Sequence, residues 1–304
     1  MLLQQFVNGI VQGSTYSLMA LGYSLIFGVL GLVNFAHGDV YMVAAFSAYF
    51  FLGSVITSGV VGVKLILALI VAIISSGILG IILEKVCFKR LRFAAPTSSC
   101  LATIGFGFVL KEITRLVFGA QTNRFIKDYS WVTYYHFGDI GISNVQILMI
   151  VVSIVLVISL QYILYNTDTG RSIRAVSQNK IAAQLMGVDI DDVISKTFVI
   201  GSTLAGSAGA LVGLYYNAVF PTMGAMPSIK AYAATVMGGL GSIPGAAIGG
   251  LMLGVAENAI GSFFNSGWRD GVAFLVFFVV LVIKPTGLFS VGSEEKIWEK
   301  NFLD

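Results

Sequence analysis

The 304 residues predict an all-α polytopic membrane protein, a single domain over residues 1–304 with about eight transmembrane segments, one of them Gly-rich and broken or re-entrant. Three observations carry this. Charged side chains make up only 11% of the chain and hydrophobic ones 57%, with a mean hydropathy of +0.89, whereas a soluble domain carries about a quarter charged residues. The apolar runs are about twenty residues long and continuous. A bilayer core offers no water to exposed peptide groups, so such runs must be helices, a barrel requiring alternation instead.

Taken in order, apolar runs and breakers place spans at about 5–34, 39–57, 62–84, 97–118, 144–166, 192–216, 228–260 and 268–290. "MLLQQFVNGI" has no basic n-region and no small-residue cleavage pattern, so the first span is expected to be retained. It exceeds the hydrocarbon thickness, and a tilt or a break near Gly22, Gly28 or Gly31 is expected. Between the first two spans, "NFAHGD" reads as a capped, solvated turn with Asp39 near a helix N-terminus. Asn34 in that turn is a candidate for a translocation path. Cys87 and Cys100 read as reduced thiols of minor structural importance.

The loop "EKVCFKRLRFAAP" holds Lys85, Lys89, Arg90 and Arg92; a later one holds Arg171, Arg174 and Lys180. Positive charge marks cytoplasmic loops, and these lie two spans apart, so both face the cytoplasm and the N-terminus lies outside. Connection 119–143, with Tyr129, Trp131, Tyr134 and Tyr135, is then external, and Lys111, Glu112 and Arg115 are expected to pair near it.

Small residues recur every four positions at Gly9, Gly13 and Ser17, at Gly201, Ala205, Gly209 and Gly213, and at Gly245 and Gly249 or at Ala246, Gly250 and Gly254. Such seams let helix backbones approach in lipid. In 228–260, Pro244 and the glycines at 238, 239, 241 and 245 predict two half-helices. Irregular backbone at depth must be buried in protein or line a cavity, so Gly238, Gly239, Gly241 and Gly245 are path candidates. If the segment is re-entrant, the tail with Lys284, Lys296 and Lys300 is cytoplasmic; if it crosses, the tail is outside. Glu257 and Asn258 follow as polar groups at depth, there either for a pore or gate or to pair with a Lys or Arg.

Residues 167–191 form a soluble-looking loop containing "GRSIRAVSQNKIAAQLMG". Asn179 is placed to cap a two-turn helix Lys180–Met186 ended by Gly187, and Asp189 to cap the next span, with Asp191 and Asp192 in its first turn. Ile181, Ala182, Leu185 and Met186 share one face. Two turns are unstable alone, so this stripe needs a surface, either the membrane or a soluble partner. The chain has no GxxxxGK[ST], no HExxH and no paired Cys or His spacing, which argues against a self-contained ATPase or metalloprotease. No metal, no cofactor in this chain, no enzymatic activity and no nucleic-acid partner are expected.

"AAQLMG" resembles the core of the cytoplasmic loop by which ABC-importer permeases engage their ATPases, although Ile181 stands where a Glu is usual and no ILP-like tail follows. With "GLVNFAHGDVYMVAAF", "GRSIRAVSQNKIAAQLMGVD" and "GGLGSIPGAAIGGLMLGVAEN" in this order, the chain over about 5–290 resembles the branched-chain amino-acid ABC transporter permease family, most closely the LivH-type member of the permease pair. The resemblance implies half of the path of an importer of Leu, Ile and Val in the lipid of a bacterial inner membrane. It also implies a homologous second permease, two cytoplasmic ATPase subunits that bind ATP and Mg, and a periplasmic or extracellular amino-acid-binding protein. Arg171, Arg174, Asn179, Ile181, Ala182, Ala183, Leu185, Met186 and Gly187 would then belong to the coupling helix and its rim. Alternatives are a urea or short-amide permease of the same family and, in another class, a self-contained channel or secondary carrier.

Overall fold

A computed structural model describes residues 2–54, 61–91, 94–126, 131–138, 140–263, 269–284 and 286–289. Arg92, Tyr129, Lys296 and Lys300 lie outside the described residues. The helices are α1 (Leu2–Leu30), α2 (His37–Ser54), α3 (Val61–Leu83, running on through a π-helical stretch Glu84–Lys89), α4 (Pro96–Phe118), α5 (Asn144–Asn166), α6 (Asp168–Gln178), α7 (Lys180–Leu185), α8 (Ile190–Tyr216), α9 (Ala225–Gly238), α10 (Ile243–Phe263) and α11 (Arg269–Ile283). A short antiparallel hairpin, β1 (Tyr134–Phe137) with β2 (Ile140–Ser143), precedes α5.

Among the described residues, five helices are long and apolar enough to cross a membrane: Leu3–Leu30, Val61–Lys89, Asn144–Asn166, Ile190–Tyr216 and Ile243–Gly261. The chain is thus a multi-pass helical membrane protein. The other runs fall short for local reasons. α4 carries Lys111, Glu112 and Arg115, α9 has 14 residues, α11 has 15 among the described residues, and α2 opens on His37 and Asp39.

α1 and α8 are the buried centre, and small residues set how closely their neighbours approach. Gly9, Gly13 and Ser17 of α1 face Gly250, Leu251, Gly254 and Val255 of α10, and Ser17 Oγ donates to Ala247 O at 2.6 Å. A Cβ at Gly254 would fall on the backbone of Gly13. Gly201 of α8 meets Ile26 and Gly22 of α1, while Gly206 meets Ser76 of α3 and Gly209 meets Tyr41 of α2. The two small-residue seams of α1 and α10 are therefore one contact, and that of α8 is shared among its neighbours. α1 runs unbroken past Gly22 and Gly28 and ends where Gly31 turns at φ +73°.

The bundle has two distinguishable ends. At the basic end, Lys89 pairs with Asp191 at 3.1 Å, and Lys180 Nζ donates to Leu30 O at 3.2 Å. At the hairpin end, Gln4 exchanges two hydrogen bonds with Gly141, and Asn123 bridges Val219 beyond α8.

The expected solvated turn at His37 and Asp39 is not what forms. Both side chains are buried, as is Asn34. The His37 ring lies against Gly22, and Asp39 against Gly107. Gly22 is eight residues from the end of α1 and Gly107 eleven into α4, about 12 and 16 Å along their axes at 1.5 Å per residue. Residues 31–36 therefore turn back into the bundle, and α2 starts at depth. There Asp39 pairs with Lys111 at 3.3 Å, taking Lys111 from the expected cluster and leaving Glu112 to pair with Arg115. α9 also starts at depth: Gly224 lies backbone to backbone on Gly38, a contact any Cβ would block, and Tyr23 Oη shares a hydrogen bond with Ser228.

Candidate functional site

At the basic end, α5 stops at Asn166 and the chain reverses. Thr167 caps α6 by accepting from Gly170 N at 3.2 Å. Gly170 is needed there, because a Cβ would strike the carbonyls of Ile163 and Leu164. α6 is amphipathic, with Ile173 and Val176 buried. Asn179 Oδ1 then accepts from Ala182 N at 3.0 Å and starts α7. Gly187, at φ +85°, ends that turn, and Asp189 caps α8 through Asp191 N and Asp192 N. The caps read from the sequence are present; α6 is an element that the sequence reading did not resolve.

α7 turns its apolar stripe outward. Ile181, Leu185 and Met186 are 73%, 82% and 85% exposed, and Ala182 is exposed beside them. Ala183 is 4% exposed and belongs to the core. Arg171 is exposed and pairs with Asp168 at 3.2 Å. Arg174 instead turns inward, its guanidinium 5.0 Å from the Tyr165 ring centroid.

The predicted break in the Gly-rich segment is the turn 239–242 between α9 and α10. Gly239 and Gly241 take φ +110° and +82°, where a Cβ is strained. Gly238 and Gly245 lie backbone against backbone, so their role visible here is close packing. The tail returns to this turn: Leu288 N and Phe289 N donate to Met237 O and Gly238 O, satisfying carbonyls at the end of α9. Gly241 borders a cavity of about 280 Å³, which is also lined by Ser24 and Gly28 of α1, Tyr165 of α5, Arg174 of α6 and Pro244 of α10.

Nearer the hairpin end, Glu257 and Asn258 join a buried polar network. Lys230 Nζ of α9 donates to Glu257 Oε1 at 2.8 Å and to Asp270 Oδ1 of α11 at 2.6 Å. Tyr16 donates to Glu257 Oε2 at 3.0 Å, Gln12 Nε2 to Tyr16 Oη at 2.7 Å, and Asn258 Nδ2 to Gln12 Oε1 at 3.0 Å. Lys230, Glu257 and Asn258 are all buried. The structure therefore separates the path candidates: Asn34 where α2 starts, the glycines at the α9–α10 turn, and Glu257 with Asn258 in the network. The sequence reading missed Lys230, Asp270, Tyr16 and Gln12. The available signal was a lone Lys in the apolar run "PSIKAYAATVMGG". Among the described residues, no group of three His, Cys, Asp or Glu is placed to hold a metal.

The family model described as branched-chain amino acid transport system / permease component matches residues 5–281. The chain is 33% identical to the high-affinity branched-chain amino acid transport system permease protein LivH of Escherichia coli K12, over 97% of both chains. It is 35% identical to the corresponding permease protein BraD of Pseudomonas aeruginosa, over 97% of this chain and 98% of that one. A probable LivH of Methanocaldococcus jannaschii is 28% identical over 96% and 92%. With a match along nearly its whole length, the chain belongs to the permease-component family of branched-chain amino acid transport systems.

Proposed function

We propose that this chain is one permease half of an ATP-driven importer for branched-chain amino acids in a bacterial inner membrane, and that α7 is its coupling helix. The observation that carries the coupling role is the outward stripe of Ile181, Leu185 and Met186 on a helix held by caps at both ends. A rigid apolar knob at the basic end suits a groove on a soluble ATPase subunit, with Arg171 at the rim. Lys180 on Leu30 O and Lys89 on Asp191 give a displacement of α7 routes to α1, α3 and α8. In this reading ATP and Mg are bound by two partner ATPases, no covalent chemistry occurs here, a homologous permease completes the path, and an amino-acid-binding protein delivers the solute. α6 and α7 lie in the cytoplasm, the N-terminus lies outside, and α2, α4 and the α9–α10 pair complete about eight segments with α11. Half-helices that start at depth supply the irregular backbone on which alternating access depends.

Reconstitution tests this. Vesicles holding the assembled complex should accumulate labelled leucine only with ATP and the binding protein present, and should not accumulate urea. ATP-independent uptake by this chain alone would replace the proposal with a self-contained carrier.

A further inference from the structure

The cavity at the basic end is lined by one cation, Arg174, and by no acidic side chain. The nearest acid in sequence, Asp168, is engaged with Arg171 on the exposed side of α6. Arg174 lies over the Tyr165 ring, its guanidinium 5.0 Å from the centroid, yet its Nη1 is buried without a protein partner. Ser24, fully buried on α1, lines the same cavity with an Oγ that also has no partner. The start of α10, through Ile243 and Pro244, forms another wall and brings the positive end of a 21-residue helix to the site. A buried guanidinium nitrogen with no acceptor is costly, and an anion with several acceptor oxygens would satisfy it. The wall made by α5 continues as an exposed apolar face through Ile154, Ile158, Tyr162 and Tyr165, as a surface for acyl chains would.

We propose that this cavity binds the phosphate of an anionic membrane lipid, with Arg174 as the main donor, Ser24 as a lesser one, the positive end of α10 beside them, and the acyl chains along α5. The lipid would wedge α6 against α1 and the α9–α10 turn, so that α6 and α7 are held in place only in a membrane of suitable charge. A phosphatidylcholine headgroup presents its own cation to Arg174 and fits less well.

The test uses the full chain, stripped of lipid in detergent and titrated with phosphatidylglycerol, phosphatidylcholine or inorganic phosphate, with bound mass counted by native mass spectrometry and stability by thermal melting. Phosphatidylglycerol should be retained in preference to phosphatidylcholine. Arg174→Gln should weaken that retention about tenfold, Ser24→Ala less, and Lys196→Gln, an exposed residue paired with Asp192 at the same end, not at all. Without lipid, Arg174→Gln should melt no lower than the unaltered protein, whereas an arginine needed only for packing would lower it. Equal retention by the Arg174→Gln variant, no preference between the two lipids, or stabilisation by inorganic phosphate as great as by lipid would each overturn the proposal.

Discussion

The α7 stripe and the Lys230–Glu257 network are opposite solutions to exposing and burying side chains. α7 leaves Ile181 and Leu185 in the open on six residues of helix, with Met186 exposed at its C-cap, and only Ala183 joins the core. The network puts a full charge pair inside the bundle and satisfies it from four helices. An apolar residue is left out where another molecule covers it, and a charge is taken in where the cost is met by partners already present. In the proposed reading the first arrangement is completed by a second protein; the second is complete within the chain. That difference is why α7 is proposed for docking while Lys230 is read primarily as architecture.

The sharpest break in the comparison is Lys230→Met. Removing one partner of a buried pair costs roughly 3–5 kcal/mol, because the remaining carboxylates stay buried or crowded without a cation. Folded protein surviving a heating series should fall steeply, and Lys230→Met with Glu257→Met should recover part of the loss. A double variant as unstable as the single one would mean that the cost is packing, not charge.

Ala183→Arg comes next. It forces a charge into the core two positions from an exposed leucine, and should cost about 2 kcal/mol, read as a lower melting temperature. Gly187→Ala should cost about 1 kcal/mol, since alanine must adopt the left-handed φ that ends α7; the same melt reads it. Leu185→Arg should have the smallest effect on stability, within about 0.5 kcal/mol at a position 82% exposed, while ATP-driven uptake is lost. If Leu185→Arg destabilises as much as Ala183→Arg, the stripe is part of the fold and not a docking face.

What the sequence made legible was local. Asn179, Gly187 and Asp189 work through neighbours within a few residues, and their caps are where cap chemistry puts them. The α1 and α10 seams were legible too, because four-residue spacing defines a helix face. The depth at which α2 begins was not, since it depends on residues 31–36 turning back so that His37 meets Gly22 of α1 and Asp39 meets Gly107 of α4. Nor were the partners of Glu257, which come from α1 and α9, or the inward turn of Arg174, which follows from α6 folding back on α5 through Gly170. The family resemblance placed Ala183 and Arg174 with the coupling surface, while the structure buries Ala183 in the core and half-buries Arg174 against Tyr165.

The most direct test of α7 as the docking element is cross-linking in the assembled complex from a cysteine at position 185 and, separately, from one at position 182, using a short thiol-to-amine reagent; Cys87 is buried and Cys100 half-buried. Both should give adducts with a cognate ATPase subunit, and those adducts should change in yield when ATP is bound. Absence of an ATPase adduct from both positions, in a complex that still transports, would contradict the account.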